Sequence, residues 1–117
     1  MGFCGYKYSF RLNAIHDIIS HGENKHGHTF YITLYIESKE TDNFQPYYLV
    51  EERIENFMER FRGKFLNEEK EFKDIIPIYE NIGLIFFKEL SKIINDGQYV
   101  LQKLEINENP LVTNIIE

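Results

Sequence analysis

The chain has 117 residues, so we expect a single domain over residues 1–117 with one hydrophobic core. Its net charge of −6 argues against nucleic acid and against an anionic membrane surface as the main partner, because both require a basic face. Cys4 is the only cysteine, so no internal disulfide can form and the reducing cytoplasm is the expected location. Since no apolar run reaches the ~18 residues needed to span a bilayer, we expect a soluble protein.

Two strands are predicted in the first part of the chain. Residues 4–14 mix aromatic and polar residues in partial alternation, which is typical of a strand with one buried face. Residues 28–37 are rich in β-branched and aromatic types and predict the clearest strand of the chain. The segment between them, 17–27, carries glycines among charged residues and is predicted to be a loop. Residues 38–48 are mostly polar and should form a second loop.

Two helices and two further strands are predicted in the rest of the chain. Apolar residues recur at three- and four-residue steps from Leu49 to about Phe65, and again over 78–94, which predicts two amphipathic helices. The charged segment 66–77 should be the loop between them. Residues 98–108 and 111–116 then predict two strands joined by a turn.

The predicted order is therefore ββααββ, which is an α+β arrangement. Two amphipathic helices can cover one face of a four-stranded, mostly antiparallel sheet. The other face then requires a partner, so the pattern predicts an oligomer.

Three histidines suggest a metal site. His26 and His28 are two residues apart at the start of the strongest strand, so both side chains project to the same side, and Gly27 leaves space between them. His16, at the end of the first strand, can supply a third nitrogen if the two strands are neighbours. Three imidazoles suit Zn²⁺ and leave a fourth position open, as in catalytic sites. The alternative is that the histidines bind no metal, since a His-x-His pair alone is a weak signal. A further histidine, His21, is either a fourth ligand or a solvated loop residue.

Several motifs, in the same order along the chain, resemble the 6-pyruvoyltetrahydropterin synthase family, which includes the 6-carboxytetrahydropterin synthases of queuosine synthesis. They are Phe10-x-x-x-Ala14-x-His16, His26-Gly27-His28, the Pro-Ile-Tyr-Glu-Asn-Ile segment 77–82 and the Leu-Glu-Ile-Asn-Glu-Asn segment 104–109. The resemblance implies the tunnelling fold (T-fold), with two helices on one face of a four-stranded sheet. It also implies a zinc ion on the three histidines, a pterin substrate, and subunits assembled into rings, commonly hexamers.

The resemblance further implies two functional carboxylates. Glu108 resembles the strand-ending glutamate that anchors the pterin, where a carboxylate accepts two N–H donors in parallel; the alternative is a solvated residue at the strand end. Glu23 resembles the glutamate that replaces the catalytic cysteine in a variant subgroup with the motif Glu-x-x-His-Gly-His. Members of that subgroup convert 7,8-dihydroneopterin triphosphate to 6-hydroxymethyl-7,8-dihydropterin for folate synthesis. The wider family implies 6-carboxytetrahydropterin or 6-pyruvoyltetrahydropterin as other products.

The chain also departs from the family pattern. Cys4 lies upstream of the position of the catalytic cysteine and is predicted to be a small core residue of the first strand. Arg62 and Gly63 stand where the family has an Asp-His pair that assists proton transfer, and neither is a general acid or base near neutrality. Ile78 replaces a threonine that helps to hold the pterin. These departures favour the alternative of a weak or inactive homologue that binds zinc and pterin.

Four cations are candidates to bind the triphosphate of the substrate, with surface solvation as the alternative for each: Arg11, Lys25, Arg62 and Lys64.

Overall fold

The computed structural model describes residues 2–19, 24–40 and 44–117, and within them four strands and two α-helices follow the predicted order ββααββ. The elements are β1 (Gly5–His16), β2 (His26–Ser38), α1 (Tyr47–Met58), α2 (Tyr79–Ile94), β3 (Tyr99–Asn109) and β4 (Val112–Ile116). All neighbouring strands pair antiparallel, in the order β1-β2-β3-β4. The predicted α+β class is therefore confirmed. Apart from the end of α1, the bounds lie within one or two residues of those predicted from the sequence.

One face of the sheet forms the floor of the hydrophobic core. Along the second half of β1 and along β2, the even-numbered side chains are the more buried ones. The buried members of this face on the two strands are Leu12, Ala14, His16, Phe30, Ile32, Leu34 and Ile36. Because side chains alternate along a strand, His26 and His28 lie on this same face, at one end of the sheet.

The two helices pack on this face. In α2, Gly83 lies directly against the sheet, because a Cβ atom there would be only 2.7 Å from Ile116 Cδ1 and 2.9 Å from Ile106 Cγ2. The missing side chain lets the helix approach β3 and β4 closely. The helix α1 lies beside α2 and reaches β1, where the Tyr8 hydroxyl donates to Glu55 Oε1 at 2.8 Å.

The first helix is shorter than the sequence predicts, ending at Met58 rather than near Phe65. Beyond it the chain tightens into turns, and the Phe61 N–H donates to the Met58 carbonyl at 3.0 Å. Phe61 is fully buried, so the apolar periodicity continues past the end of the helix. Gly63 then has a φ of +70°, which a right-handed helix does not contain.

The segment between the helices is more structured than a plain loop. Two short 3₁₀ helices lie in it, Leu66–Glu68 and Lys70–Phe72. Leu66 and Phe72 are both fully buried. The segment therefore closes the core at the end of the sheet where the histidines lie, and the isolated bridge between Ile15 and Phe65 ties it to β1.

The prediction that Cys4 is a core residue of the first strand is wrong. Cys4 is exposed and precedes β1, which begins at Gly5. Residues 5–7, at the start of β1, are exposed as well.

The second face of the sheet is polar and remains exposed. Hydroxyl and amide side chains contact one another across it, as in the pair Ser9 and Thr33 at 3.1 Å and the pair Thr29 and Asn13 at 2.7 Å. None of the described helices lies over this face. Within the described ranges, no helix combines the length and the apolar character needed to cross a membrane.

Candidate metal centre

The strand register brings three histidines together. His16 pairs directly with His26 across β1 and β2, and His28 is opposite Ala14, one pair further along the same face. One ligand atom of each imidazole lies within 4.8 Å of those of the other two. The ring centroids are 4.4 Å apart for His16 and His26, and 5.4 Å apart for His16 and His28. The structure thus assembles the three residues that the sequence analysis selected as ligands, and they could hold a metal ion.

Each of the three rings has one nitrogen beside an oxygen atom. His16 Nδ1 lies 2.7 Å from the Pro77 carbonyl oxygen, His26 Nδ1 lies 3.3 Å from the Asn24 carbonyl oxygen, and His28 Nε2 lies 3.3 Å from Glu108 Oε2. Such oxygen partners orient a metal-binding imidazole and fix the nitrogen that stays free for the ion.

The ring nitrogens without an oxygen partner show whether the three histidines suit a metal ion. His16 Nε2 and His28 Nδ1 are buried, and neither has a hydrogen-bond partner among the described residues. A buried polar atom without a partner is costly, and a bound cation would satisfy both at once. Burial also lowers the pKa of His16 below its ordinary value of 6.5, although the bond to the Pro77 carbonyl acts in the opposite direction. The His16 imidazole is therefore neutral at neutral pH, as a ligand must be. A donor set of three imidazoles suits Zn²⁺.

Glu108 lies beside this cluster, near the end of β3. The pairing of β3 with β4 is irregular between Ile106 and Asn109, so the ladder is interrupted at Glu108. Its side chain is 23% exposed and contacts His28, whose ring lies against Phe30. A half-buried carboxylate therefore stands next to the candidate metal ligands, where it can accept N–H donors from a ligand in the same site.

Glu23, the catalytic residue expected from the sequence, lies outside the described residues, and so does His21. The described residues on either side of this gap are connected by hydrogen bonds to Asp17, which is fully buried. Asp17 Oδ1 accepts the Ile19 N–H at 2.9 Å, and Asp17 Oδ2 accepts the Asn24 N–H at 2.8 Å.

Asp17 is held in turn by Asn67. Asn67 Oδ1 accepts the Asp17 N–H at 2.9 Å, and Asn67 Nδ2 donates to the Asp17 carbonyl at 3.0 Å. Sequence reasoning missed both residues. An Asp directly after a strand is a signal for a side-chain-to-backbone turn and could have pointed to Asp17. No local pattern marks Asn67, because its partner is fifty residues away.

The two residues that replace the family's Asp-His pair have structural contacts. Arg62 donates to Glu59 Oε1 at 2.7 Å and to Glu55 Oε2 at 2.9 Å. The Gly63 N–H donates to the Asn13 carbonyl at 2.7 Å, which helps to dock this segment on β1. Neither position carries a group that transfers protons near neutrality.

The other cations predicted to meet a triphosphate lie in different surroundings. Lys25 Nζ is 4.5 Å from the centroid of the Phe65 ring, so this ammonium group lies over an aromatic face. Arg11 is exposed and, by the alternation along β1, belongs to the face of the sheet opposite the histidines.

The comparison with known proteins decides the family. The sequence model described as "6-pyruvoyl tetrahydropterin synthase" matches residues 6–117 of the chain. The chain belongs to this family. The predicted family is confirmed, and membership supports a pterin-processing activity of the lyase type. No curated protein sequence is significantly similar to the chain.

A solved structure confirms the fold. The 6-pyruvoyl tetrahydropterin synthase of Caenorhabditis elegans superposes with a TM-score of 0.78 at 18% identity, over 96% of this chain and 93% of that chain. At this identity the likeness concerns the fold alone, and the predicted T-fold, with its order ββααββ, is confirmed.

Proposed function

We propose that this chain is a zinc-dependent lyase that acts on 7,8-dihydroneopterin triphosphate or a close relative. The observation that carries the proposal is the group of three imidazoles with an oxygen atom beside one nitrogen of each ring and a carboxylate at its edge. Family membership supplies the pterin, and the donor set supplies the choice of zinc.

In this proposal His16, His26 and His28 hold the metal. A zinc ion held by these three residues would supply Lewis-acid chemistry at a substrate oxygen. The contribution of the chain is to hold the rings in place. The Pro77 carbonyl accepts from His16, and Glu108 holds His28, so the ligands need little reorganisation when the ion binds.

Glu108 is the proposed anchor for the pterin ring. The pterin edge offers N–H donors from its amino group and the adjacent ring nitrogen, and a carboxylate accepts both in parallel. Because the side chain is half-buried, a ring that lacks these donors would leave a buried acceptor unsatisfied. Recognition and chemistry would then take place within one site, since Glu108 contacts the candidate ligand His28.

Glu23 is the proposed general base. In the sequence it precedes His26, the first proposed ligand of the His-x-His pair, by three residues. It would remove a proton from the side chain of the substrate, which promotes phosphate loss or carbon–carbon cleavage. A carboxylate performs this step near neutrality when burial raises its pKa.

A second candidate function is a weak or inactive homologue that binds zinc and pterin. The surroundings of Arg62 favour it, because the guanidinium group donates to Glu55 and Glu59 and offers hydrogen-bond donors only. The proton-transfer pair of the family therefore has no replacement at this position.

Three further features belong to the proposal. The product is one of three pterins, 6-hydroxymethyl-7,8-dihydropterin, 6-carboxytetrahydropterin or 6-pyruvoyltetrahydropterin, which belong to folate, queuosine and biopterin synthesis respectively. The chain forms a ring-based homo-oligomer, with a hexamer as the expected size, because the outer edges of β1 and β4 pair with no strand in the described part of the chain. It works in the cytoplasm on a small molecule, without nucleic acid or membrane as partner.

The test is incubation of the zinc-loaded protein with 7,8-dihydroneopterin triphosphate, followed by product identification by mass spectrometry. The lyase proposal predicts a zinc-dependent product that is absent with His26→Ala. Pterin binding without any turnover would establish the second candidate. Failure to bind either zinc or pterin would overturn both.

A further inference from the structure

Asp17 connects the two described ends of the loop between β1 and β2. It directly follows His16, and its buried carboxylate accepts the N–H groups of Ile19 and Asn24. The two oxygen atoms thus bind backbone groups on both sides of the loop. Because Asp17 is fully buried, water does not compete for these two hydrogen bonds, so the connection between the two described ends is a firm one.

The connection extends to both neighbouring imidazoles. On one side, the backbone of Asp17 continues that of His16 and is held by the amide of Asn67 through two hydrogen bonds. On the other side, the backbone N–H of Asn24 donates to Asp17, and the carbonyl oxygen of the same residue lies 3.3 Å from His26 Nδ1. Two successive contacts therefore lead from the Asp17 carboxylate to the ring of His26.

We propose that Asp17 is a positioning residue of the metal centre, which sets the separation and ring orientation of His16 and His26 before an ion binds. The inference rests on the proposed zinc site. Without the carboxylate, the backbone N–H of Asn24 loses its acceptor. Binding of the metal ion must then also order the residues that lead into β2. Ordering of ligands at the moment of binding reduces affinity.

The test compares Asp17→Asn with Asp74→Asn, an exposed aspartate in the segment between the helices. Asn has nearly the same shape as Asp, but its amide can accept only one of the two N–H groups. Zinc affinity is measured by competition with a chelator at a temperature at which the folded state of each variant is verified by circular dichroism. We expect Asp17→Asn to weaken zinc binding by about 10- to 100-fold, the usual effect of removing an outer partner of a metal ligand. We expect Asp74→Asn to bind zinc as the wild type does.

A spectroscopic readout separates positioning from simple loss of stability. With Co²⁺ at saturation, a protein that is only less stable keeps the wild-type ligand-field spectrum, whereas displaced imidazoles change its intensity and position. If Asp17→Asn does not fold, Asn24→Pro removes the N–H donor while leaving Asp17 in place, and the same loss of zinc affinity is expected. A folded variant with wild-type zinc affinity and Co²⁺ spectrum would overturn the inference. A wild type that binds no zinc would overturn the proposed function instead.

Discussion

Replacement of Glu108 by Gln tests the proposed pterin anchor. The change keeps the shape of the side chain but turns one acceptor oxygen into a donor, which faces an N–H group of the pterin. The carboxylate is half-buried beside His28, so water replaces the lost hydrogen bond only in part. A hydrogen bond to a charged group contributes about 1.5–3 kcal/mol, which corresponds to a loss of pterin affinity of about 10- to 140-fold.

The assay is calorimetric titration of the zinc-loaded protein with 7,8-dihydroneopterin. Glu105→Gln is the matched control, because Glu105 belongs to the same strand but binds Tyr35 on the opposite face of the sheet. We expect the control to bind pterin as the wild type does. Zinc content should survive in both variants, since the amide oxygen of the introduced glutamine can still accept from the His28 ring. Unchanged pterin affinity in Glu108→Gln would refute the assignment of the anchor.

Three further predictions concern the base, the assembly and the pH dependence. Glu23→Gln should bind zinc and pterin normally yet lose about 10²-fold or more in turnover, the usual contribution of a general base, whereas a wild-type rate would show that the base lies elsewhere. Sedimentation at micromolar concentration should show a ring-sized oligomer, because the edge strands β1 and β4 each have one side without a pairing strand among the described residues, and a compact monomer would contradict this. The metal-free protein should lose stability as the pH falls below about 6.5, because the unfolded chain protonates His16 at a higher pH than the folded state does, where burial lowers its pKa. Denaturant titrations at about pH 7.5 and about pH 5.5 should show a smaller difference for His16→Gln than for the wild type, and equal differences would contradict the buried neutral imidazole.

The fold can be predicted from the sequence wherever the spacing of apolar residues indicates which side chains are buried. The alternation along 28–37 marked β2, and the same alternation placed His26 and His28 on one side of it. The position of His16 at the end of β1 then required only that the two strands pair, which they do. The resemblance of four short motifs added the family, which periodicity alone does not reveal.

What the sequence left open depends on contacts between distant residues. The helical spacing of apolar residues in α1 continues to Phe61. That residue is buried, but it lies in a turn after the helix has ended at Met58. The carbonyl of Pro77 orients His16 across sixty-one residues, and Asn67 holds Asp17 across fifty. Such partners leave no periodic signal, so the three candidate ligands were predictable from the sequence, whereas the contacts of Pro77 with His16 and of Asn67 with Asp17 were not.

Zinc content per chain tests the metal centre most directly. Elemental analysis of the purified wild type, with the folded state of every variant verified by circular dichroism, should give about one Zn²⁺ per chain. His26→Ala and His28→Ala should each lose the ion, because two remaining imidazoles hold zinc poorly. His21→Ala, a change five residues before His26 in the sequence, should retain it. Full zinc occupancy in both the His26 and the His28 variants would contradict the proposed metal site.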